Sequence, residues 1–278
     1  MATPSRRPRI GGAWILVGLT AGLMPACVKD ASPPAAPPLP VAEDLVVQVL
    51  HSYPHDRGAF TQGLLYHEGR LYESTGLPGR SSLRRVVLES GQVERQIAVP
   101  NPVFAEGLAR VDDHLVQLTW QEQRAFVWSL DRFQKVGEHA YEGEGWGLCY
   151  DGRRLVMSDG SAHLTFRDGR TFERVGEVTV TRDGAPVPQL NELECVDGAV
   201  YANVWQTESI ARIDPGTGRV TAWIDASGLL TDNERASTDV LNGIAYRPDT
   251  KTFLLTGKLW PRLVEVQFVP RSRPPSHS

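Results

Sequence analysis

The sequence has little of what usually marks a chemistry. Three cysteines, Cys27, Cys149 and Cys195, are spread over 278 residues with no Cys-x-x-Cys pair, and the seven histidines, His51, His55, His67, His114, His139, His163 and His277, share no ligand spacing. A disulfide framework and a zinc site are therefore both unsupported. Basic charge is not in excess: 29 Lys and Arg face 33 Asp and Glu, for a net charge of −4. The clustered positive charge that would neutralise a phosphate backbone is missing, and nucleic acid is excluded as a partner. No long stretch has helical periodicity, and 26 glycines with 20 prolines exceed ordinary usage, which excludes a helical bundle. What remains is a globular composition, 41% apolar and 22% charged, incompatible with disorder or with many membrane spans.

The amino-terminal residues have a separate character. Arg6, Arg7 and Arg9 precede an apolar run over residues 13–24, the charge and length pattern of a signal peptide. Met24-Pro25-Ala26-Cys27 resembles a bacterial lipobox, with Met where Leu is usual. Residues 1–26 are therefore expected to be removed, and Cys27 is the candidate lipidation and membrane-anchoring site. The alternatives are plain secretion with Cys27 trimmed away, and an uncleaved anchor over the uncharged residues 10–28. All three place the remainder outside the cytoplasm, in the periplasm or beyond. Residues 27–44 read as a proline-rich linker, 45–270 as the folded catalytic domain and 271–278 as a disordered tail. Removing residues 1–26 takes away three arginines and no acid, moving the net charge from −4 to −7.

From residue 45 onward the chain is a series of short β-rich runs separated by Gly, Asp and Asn turns. One hairpin-like segment recurs five times, opening at Gln62, Glu106, Trp146, Asn191 and Asn242, with spacings of 44, 40, 45 and 51 residues. That period suits one four-stranded propeller blade per repeat and predicts an all-β, five-bladed β-propeller. The fifth unit has room after its hairpin for one more strand, residues 263–268. The run at 45–50 is expected to supply the missing outer strand, so that amino- and carboxy-terminal strands close the ring and remove its open edges. A β-sandwich, the alternative, predicts no fivefold hairpin.

The innermost strand of a blade lines the central channel, so equivalent positions of the repeats should encircle one point. The opening column is Gln62, Glu106, Trp146, Asn191 and Asn242; the closing column is Thr75, Trp120, Asp159, Trp205 and Lys258. A structural repeat would fill such columns with one small or apolar residue type. These differ in every unit and mix indoles, amides, carboxylates and an amine, the make-up of a binding pocket. Burial beside indoles would raise the pKa of Glu106 toward the range useful for proton transfer; alternatively Glu106 caps a turn.

The motifs that carry these residues are Phe60-Thr61-Gln62-Gly63-Leu64, Phe104-Ala105-Glu106-Gly107-Leu108, Thr119-Trp120, Glu144-Gly145-Trp146-Gly147-Leu148, Ser158-Asp159-Gly160-Ser161, Leu190-Asn191-Glu192-Leu193-Glu194, Asn203-Val204-Trp205, Val240-Leu241-Asn242-Gly243-Ile244-Ala245 and Thr256-Gly257-Lys258-Leu259-Trp260-Pro261. In this order they resemble the glutaminyl cyclases (glutaminyl-peptide cyclotransferases) of plant and bacterial type, which are five-bladed propellers. The resemblance implies a peptide or protein substrate with an N-terminal glutamine, converted to pyroglutamate with release of ammonia. It implies Glu106 as the acid–base group. Lys258, with the indole N–H groups of Trp120 and Trp205, is suited to donate to an oxyanion, Gln62 and Asn191 to hold the γ-amide or α-amine, and Phe60, Phe104 and Trp146 to form an apolar wall. No cofactor or catalytic metal is required, and a structural calcium, compatible with the resemblance, is given no ligands. The animal-type cyclases are unrelated zinc enzymes.

Cys149 and Cys195 occupy nearly equivalent places in neighbouring units and are expected as two small buried thiols rather than a bridge. Residues 225–239 form a long polar insert, either a rim over the pocket or an ordinary surface loop. Two other functions fit the same pattern: a calcium-dependent lactonase, against which Lys258 counts, and a peptide- or protein-binding propeller without catalysis.

Overall fold

The computed structural model describes residues 41–272. The expected signal peptide, Cys27 and most of the linker lie outside the described residues, as does the chain from 273. Within them the fold is all-β, with a single short helix.

β1 (Glu43–Pro54) precedes three antiparallel meanders of four strands each. The first is β2 (Thr61–His67), β3 (Arg70–Thr75), β4 (Ser82–Val87) and β5 (Val93–Ala98); the second is β6 (Ala105–Val111), β7 (His114–Thr119), β8 (Arg124–Ser129) and β9 (Lys135–Ala140). The third is β10 (Leu148–Tyr150), β11 (Arg154–Met157), β12 (His163–Asp168) and β13 (Arg174–Thr179), followed by a two-stranded ribbon of β14 (Thr181–Arg182) and β15 (Ala185–Pro186). The last sheet has eight strands. It contains β16 (Leu190–Val196), β17 (Ala199–Val204), β18 (Ser209–Ile213) and β19 (Val220–Asp225), then β20 (Leu241–Arg247), β21 (Thr252–Gly257) and β22 (Arg262–Pro270), in the order β16-β17-β18-β19-β1-β22-β21-β20. α1 (Asp232–Arg235) lies between β19 and β20.

Local sequence explains the hairpins. Glu68-Gly69 and Asp197-Gly198 both take positive φ at both residues (48° and 77°; 49° and 78°), the turn that matches the right-handed twist of paired strands. The first strand of each complete unit is apolar and buried along most of its length, whereas β5, β9 and β13 alternate half-buried and exposed residues, as strands with one wet face do. The first strands contact one another in a cycle: β2 lies against β6, β6 against β10, β10 against β16, β16 against β20, and β20 against β2. The core accordingly lies between neighbouring sheets. Leu83 of the first sheet packs with Phe126 and Trp128 of the second, and Leu64 and Leu71 pack with Leu254 and Leu263 of the last.

Close approach at the centre of this cycle is permitted by glycine. A Cβ on Gly63 would lie 2.5 Å from the Leu108 nitrogen, one on Gly107 2.6 Å from the Leu148 nitrogen, and one on Gly147 2.0 Å from the Asn191 carbonyl oxygen. The fourth repeat has Glu192 at that position. Its fully buried carboxylate accepts hydrogen bonds from the backbone N–H groups of Leu64 (3.1 Å) and Ile244 (2.8 Å), joining β16 to both β2 and β20.

The amino-terminal strand completes the last unit, as the strand count predicts: β1 pairs antiparallel with β22, from Leu45 opposite Pro270 to Pro54 opposite Arg262. It also pairs in parallel with β19, Glu43 to Val46 opposite Ala222 to Asp225, which the repeat pattern does not foretell. Arg271 extends the closure by donating to Asp44 and Asp225. The expectation of free thiols is corrected. Cys149 on β10 and Cys195 on β16 form a disulfide with Cα atoms 5.5 Å apart, because the first strands of consecutive repeats are direct neighbours. The 225–239 insert is anchored from below by Ala226, Leu229 and Leu230, all buried in the core, and Thr231 and Glu234 close a capping box on α1.

The disulfide closes a 46-residue separation. Replacing both cysteines by alanine is expected to cost about 2–4 kcal/mol of stability. Denaturant unfolding with and without reductant checks this: reductant should shift the midpoint of the parent protein and leave that of the double variant unchanged.

Candidate active site

The starts and ends of the inner hairpins converge on a cavity of about 290 Å³ lined by Phe60, Gln62, Phe104, Glu106, Trp120, Trp146, Asn191, Trp205 and Lys258. The nine residues given a role at the site are therefore gathered around one space, whereas three of the ten column positions expected at the same point are not. The remaining column members stand apart from the lining. Thr75 pairs with the Ser82 hydroxyl, Asp159 is exposed and accepts from Ser161, and Asn242 sits behind Gln62. Strand irregularity aims the polar groups: pairing slips between Thr61 and Gly63, between Ala105 and Leu108, and between Leu190 and Leu193. Gln62, Glu106 and Asn191 thus fall on bulges, which commonly re-aim side chains beside active sites.

Glu106 is 5% exposed and accepts one hydrogen bond in the cavity, from Gln62 Nε2 at 3.0 Å. Gln62 is itself held from behind, its Oε1 accepting from Asn242 Nδ2 at 3.2 Å. Burial raises the pKa of Glu106 well above the ordinary carboxylate value. The Lys258 charge works against the rise, and Glu144 and Glu122 add to it. Lys258 is 6% exposed, with its ammonium 4.9 Å from the Phe60 ring centroid. Among the described residues its side chain makes no hydrogen bond or ion pair, so its donors are uncommitted. Burial lowers its pKa, against the opposing charges of Glu106 and Asp239. Backbone bonds fix its position: Lys258 N–H to the Val240 oxygen, Asp239 N–H to the Lys258 oxygen, and Leu259 N–H to the Ala59 oxygen, which ties the segment to that of Phe60.

The aromatic walls are jointed. Phe104 meets Phe60 and Trp120 edge to face, and Trp146 meets Trp205 in the same way, with centroids 5.5 to 6.1 Å apart. Glu144, legible in the sequence only as part of a motif, anchors them. Its Oε2 accepts from the indoles of Trp120 (2.8 Å) and Trp146 (3.0 Å), and its Oε1 from Gln121. Burial opposes ionisation, but these bonds hold the Glu144 carboxyl below its ordinary pKa. The Trp120 indole N–H, expected as an oxyanion donor, is engaged by Glu144 in this structure. The Trp205 indole N–H has no acceptor among the described residues, while its backbone N–H donates to the Gln189 carbonyl. Asn191 Oδ1 is buried without a hydrogen-bond partner, an acceptor awaiting a donor from a ligand. Glu122, which no sequence motif singles out, accepts from the Phe104 N–H.

The family model for glutamine cyclotransferase matches residues 20–268. The chain belongs to this family. It is 41% identical over 227 residues to the glutaminyl-peptide cyclotransferase of Arabidopsis thaliana, a match covering 80% of this chain and 71% of the relative. The solved structure of Myxococcus xanthus glutaminyl cyclase superposes with a TM-score of 0.76 at 44% identity, over 83% of this chain and all of that one. Cyclisation requires the reacting residue to fold back on itself, which fixed indole walls around this candidate cavity would favour. Glu144→Ala frees both Trp120 and Trp146, and KM for the cyclase reaction should rise about tenfold, on the order of 1.4 kcal/mol, with a smaller change in kcat. Steady-state kinetics check the split.

Proposed function

We propose that this glutaminyl cyclase converts the N-terminal glutamine of peptides and proteins to pyroglutamate by proton transfer through Glu106 and charge stabilisation by Lys258, with no metal taking part in the reaction. The observation that carries the reading is the pairing of a carboxyl of raised pKa with an uncommitted ammonium in one aromatic cavity.

The substrate holds nucleophile and electrophile on one residue, so the protein gains most by selecting a folded-back conformer. The nine-residue lining is suited to such selection. Aromatic faces enclose the aliphatic carbons, and Asn191 Oδ1 accepts from an N–H of the α-amine or γ-amide. The ionised Glu106 takes a proton as the amine nitrogen forms its bond to the γ-carbonyl carbon. The carbonyl electron pair moves onto oxygen, where Lys258 and the Trp205 indole N–H donate to it. Collapse of that oxyanion breaks the bond to the amide nitrogen, and Glu106 returns its proton to the leaving ammonia. Gln62 holds the carboxyl of Glu106 toward the substrate between the two transfers, and Glu144, kept ionised, serves the walls. Two carboxyls with environments of opposite effect thus divide the roles.

The architecture proposed is a five-bladed propeller, supported by the cyclic contacts of β2, β6, β10, β16 and β20. In this reading β1 joins two blades into the eight-stranded sheet. The enzyme acts after export directed by residues 1–26, with Cys27 as its lipid attachment point.

Ammonia release from a Gln-initiated peptide tests the activity, and addition of chelator tests the metal-free mechanism. Release should be unaffected by chelator. Glu106→Gln should lower kcat about 10²–10⁴-fold while leaving peptide binding in place, and Lys258→Met should lower it about 10²–10³-fold. Because the base form of Glu106 is required and its pKa is raised, kcat/KM should fall with decreasing pH along a limb lying well above 4.5. A pH–rate profile lacking that limb contradicts the assignment.

A further inference from the structure

A second cavity, of about 530 Å³, opens beside the first between the fourth and fifth repeats. Both of its walls continue those of the glutamine cavity. Trp205 runs directly into the turn at Gln206-Thr207-Glu208, and Lys258 exchanges backbone hydrogen bonds with Asp239 and Val240, which line the new space. Trp260 forms part of its floor and donates its indole N–H to the Asp239 carbonyl. The rim carries Glu208, Asp239 and Arg235. Arg235 is bonded to Glu208 at 2.6 Å. Asp239 accepts from the Val240 N–H and its charge also acts on Lys258, but among the described residues it forms no ion pair. The two acids and one base of the rim thus leave the rim net negative.

A peptide substrate has to leave the catalytic cavity on the carbonyl side of its first residue, and two further cavities are candidate exits. A cavity of about 600 Å³ bordered by Glu142 and Asp159 lies between the second and third repeats. That side is fenced, because Glu144 bonds the indoles of both Trp120 and Trp146 across the gap. Between the fourth and fifth repeats no side-chain bond joins Trp205 to Lys258 among the described residues.

We propose that the residues following the N-terminal glutamine bind in the cavity between the 206–208 turn and the 225–239 insert, and that its rim favours a cationic side chain there. The proposal rests on the cyclase reading and adds to it a subsite and a preference. Glu208 and Arg235 are then specificity-determining residues remote from the reacting atoms, and the insert is the wall that sets which peptides enter.

The test measures kcat/KM at low ionic strength, where exposed charges are least screened, for Gln-Lys-Ala-amide and Gln-Glu-Ala-amide. Each enzyme is normalised to its own turnover of glutaminamide, which has no following residue. The parent enzyme should prefer the lysine peptide. Glu208→Lys should lower the Lys-to-Glu ratio about fivefold, and Arg235→Glu should raise it. Ratios unmoved by both substitutions, or moved instead by Glu142→Lys in the other cavity, overturn the proposal. Absence of turnover of glutaminamide by the parent enzyme would instead overturn the cyclase reading, so the two failures are distinct.

Discussion

The inner strands of this protein meet with backbone against backbone, and everything else is arranged around that contact. Gly63, Gly107 and Gly147 have no room for a methyl group, because the next strand's main chain occupies the place where it would go. Where the glycine pattern lapses, at Glu192, a carboxylate substitutes for direct contact by accepting from backbone N–H groups on two neighbouring strands. The residues immediately before these positions, Gln62, Glu106, Trp146 and Asn191, are thereby brought within reach of one small ligand. A looser centre would leave the same side chains too far apart to act together. The geometry of the site follows from steric necessity at the backbone more than from any interaction between the polar groups themselves.

Within that frame the protein separates two acidic functions by wetness and by bonding. Glu106 is enclosed by aromatic faces and given one amide donor, surroundings that raise its pKa and, in the proposed mechanism, suit it to carry and return a proton. Glu144, nearer to solvent and furnished with three side-chain donors, stays an anion and behaves as a bracket for the indoles. Lys258 completes the balance: its charge moderates the rise at Glu106, while lack of a salt bridge leaves its protons available. Such a division needs no unusual residue, only unequal surroundings for identical chemistry.

Much of this was legible in the sequence because repetition makes position readable. Once five hairpins are aligned, a residue such as Trp205 or Lys258 is located by its place in a column, and seven of the nine lining residues are found that way. Phe60 and Phe104 lie outside the columns and come from the motifs of the family resemblance, while Thr75, Asp159 and Asn242 share the columns without lining the cavity. Residues outside the columns carry no such coordinate. Glu144 precedes an opening residue by two positions, and Glu122 lies in a link between strands; their worth depends on which N–H groups happen to face them. The cysteine bridge escaped for a related reason: 46 residues separate its ends, and only the tight packing of β10 against β16 brings them together. The parallel pairing of β1 with β19 leaves no periodic trace, since it reflects where a closed sheet has a vacancy. The insert, polar in composition, conceals Leu229 and Leu230 that moor it, and composition alone could not rank mooring against exposure.

The placement of β1 has a consequence for the order of events during synthesis. Its partners are the strand that ends the fourth unit and the last of the described strands, so the first of the described strands to be made is among the last to find its place. Until Arg262–Pro270 emerges, the segment at 43–54 has no antiparallel neighbour, and only the short parallel pairing of residues 43–46 with β19 is open to it. Loop closure over nearly the whole domain comes at the end, when most of its entropic cost has already been met by the contacts of the intervening sheets. Under the proposed export, a chain that crosses a membrane before folding gains from this arrangement. No early fragment contains both halves of the closure, and the ring locks only after the final strand has been delivered.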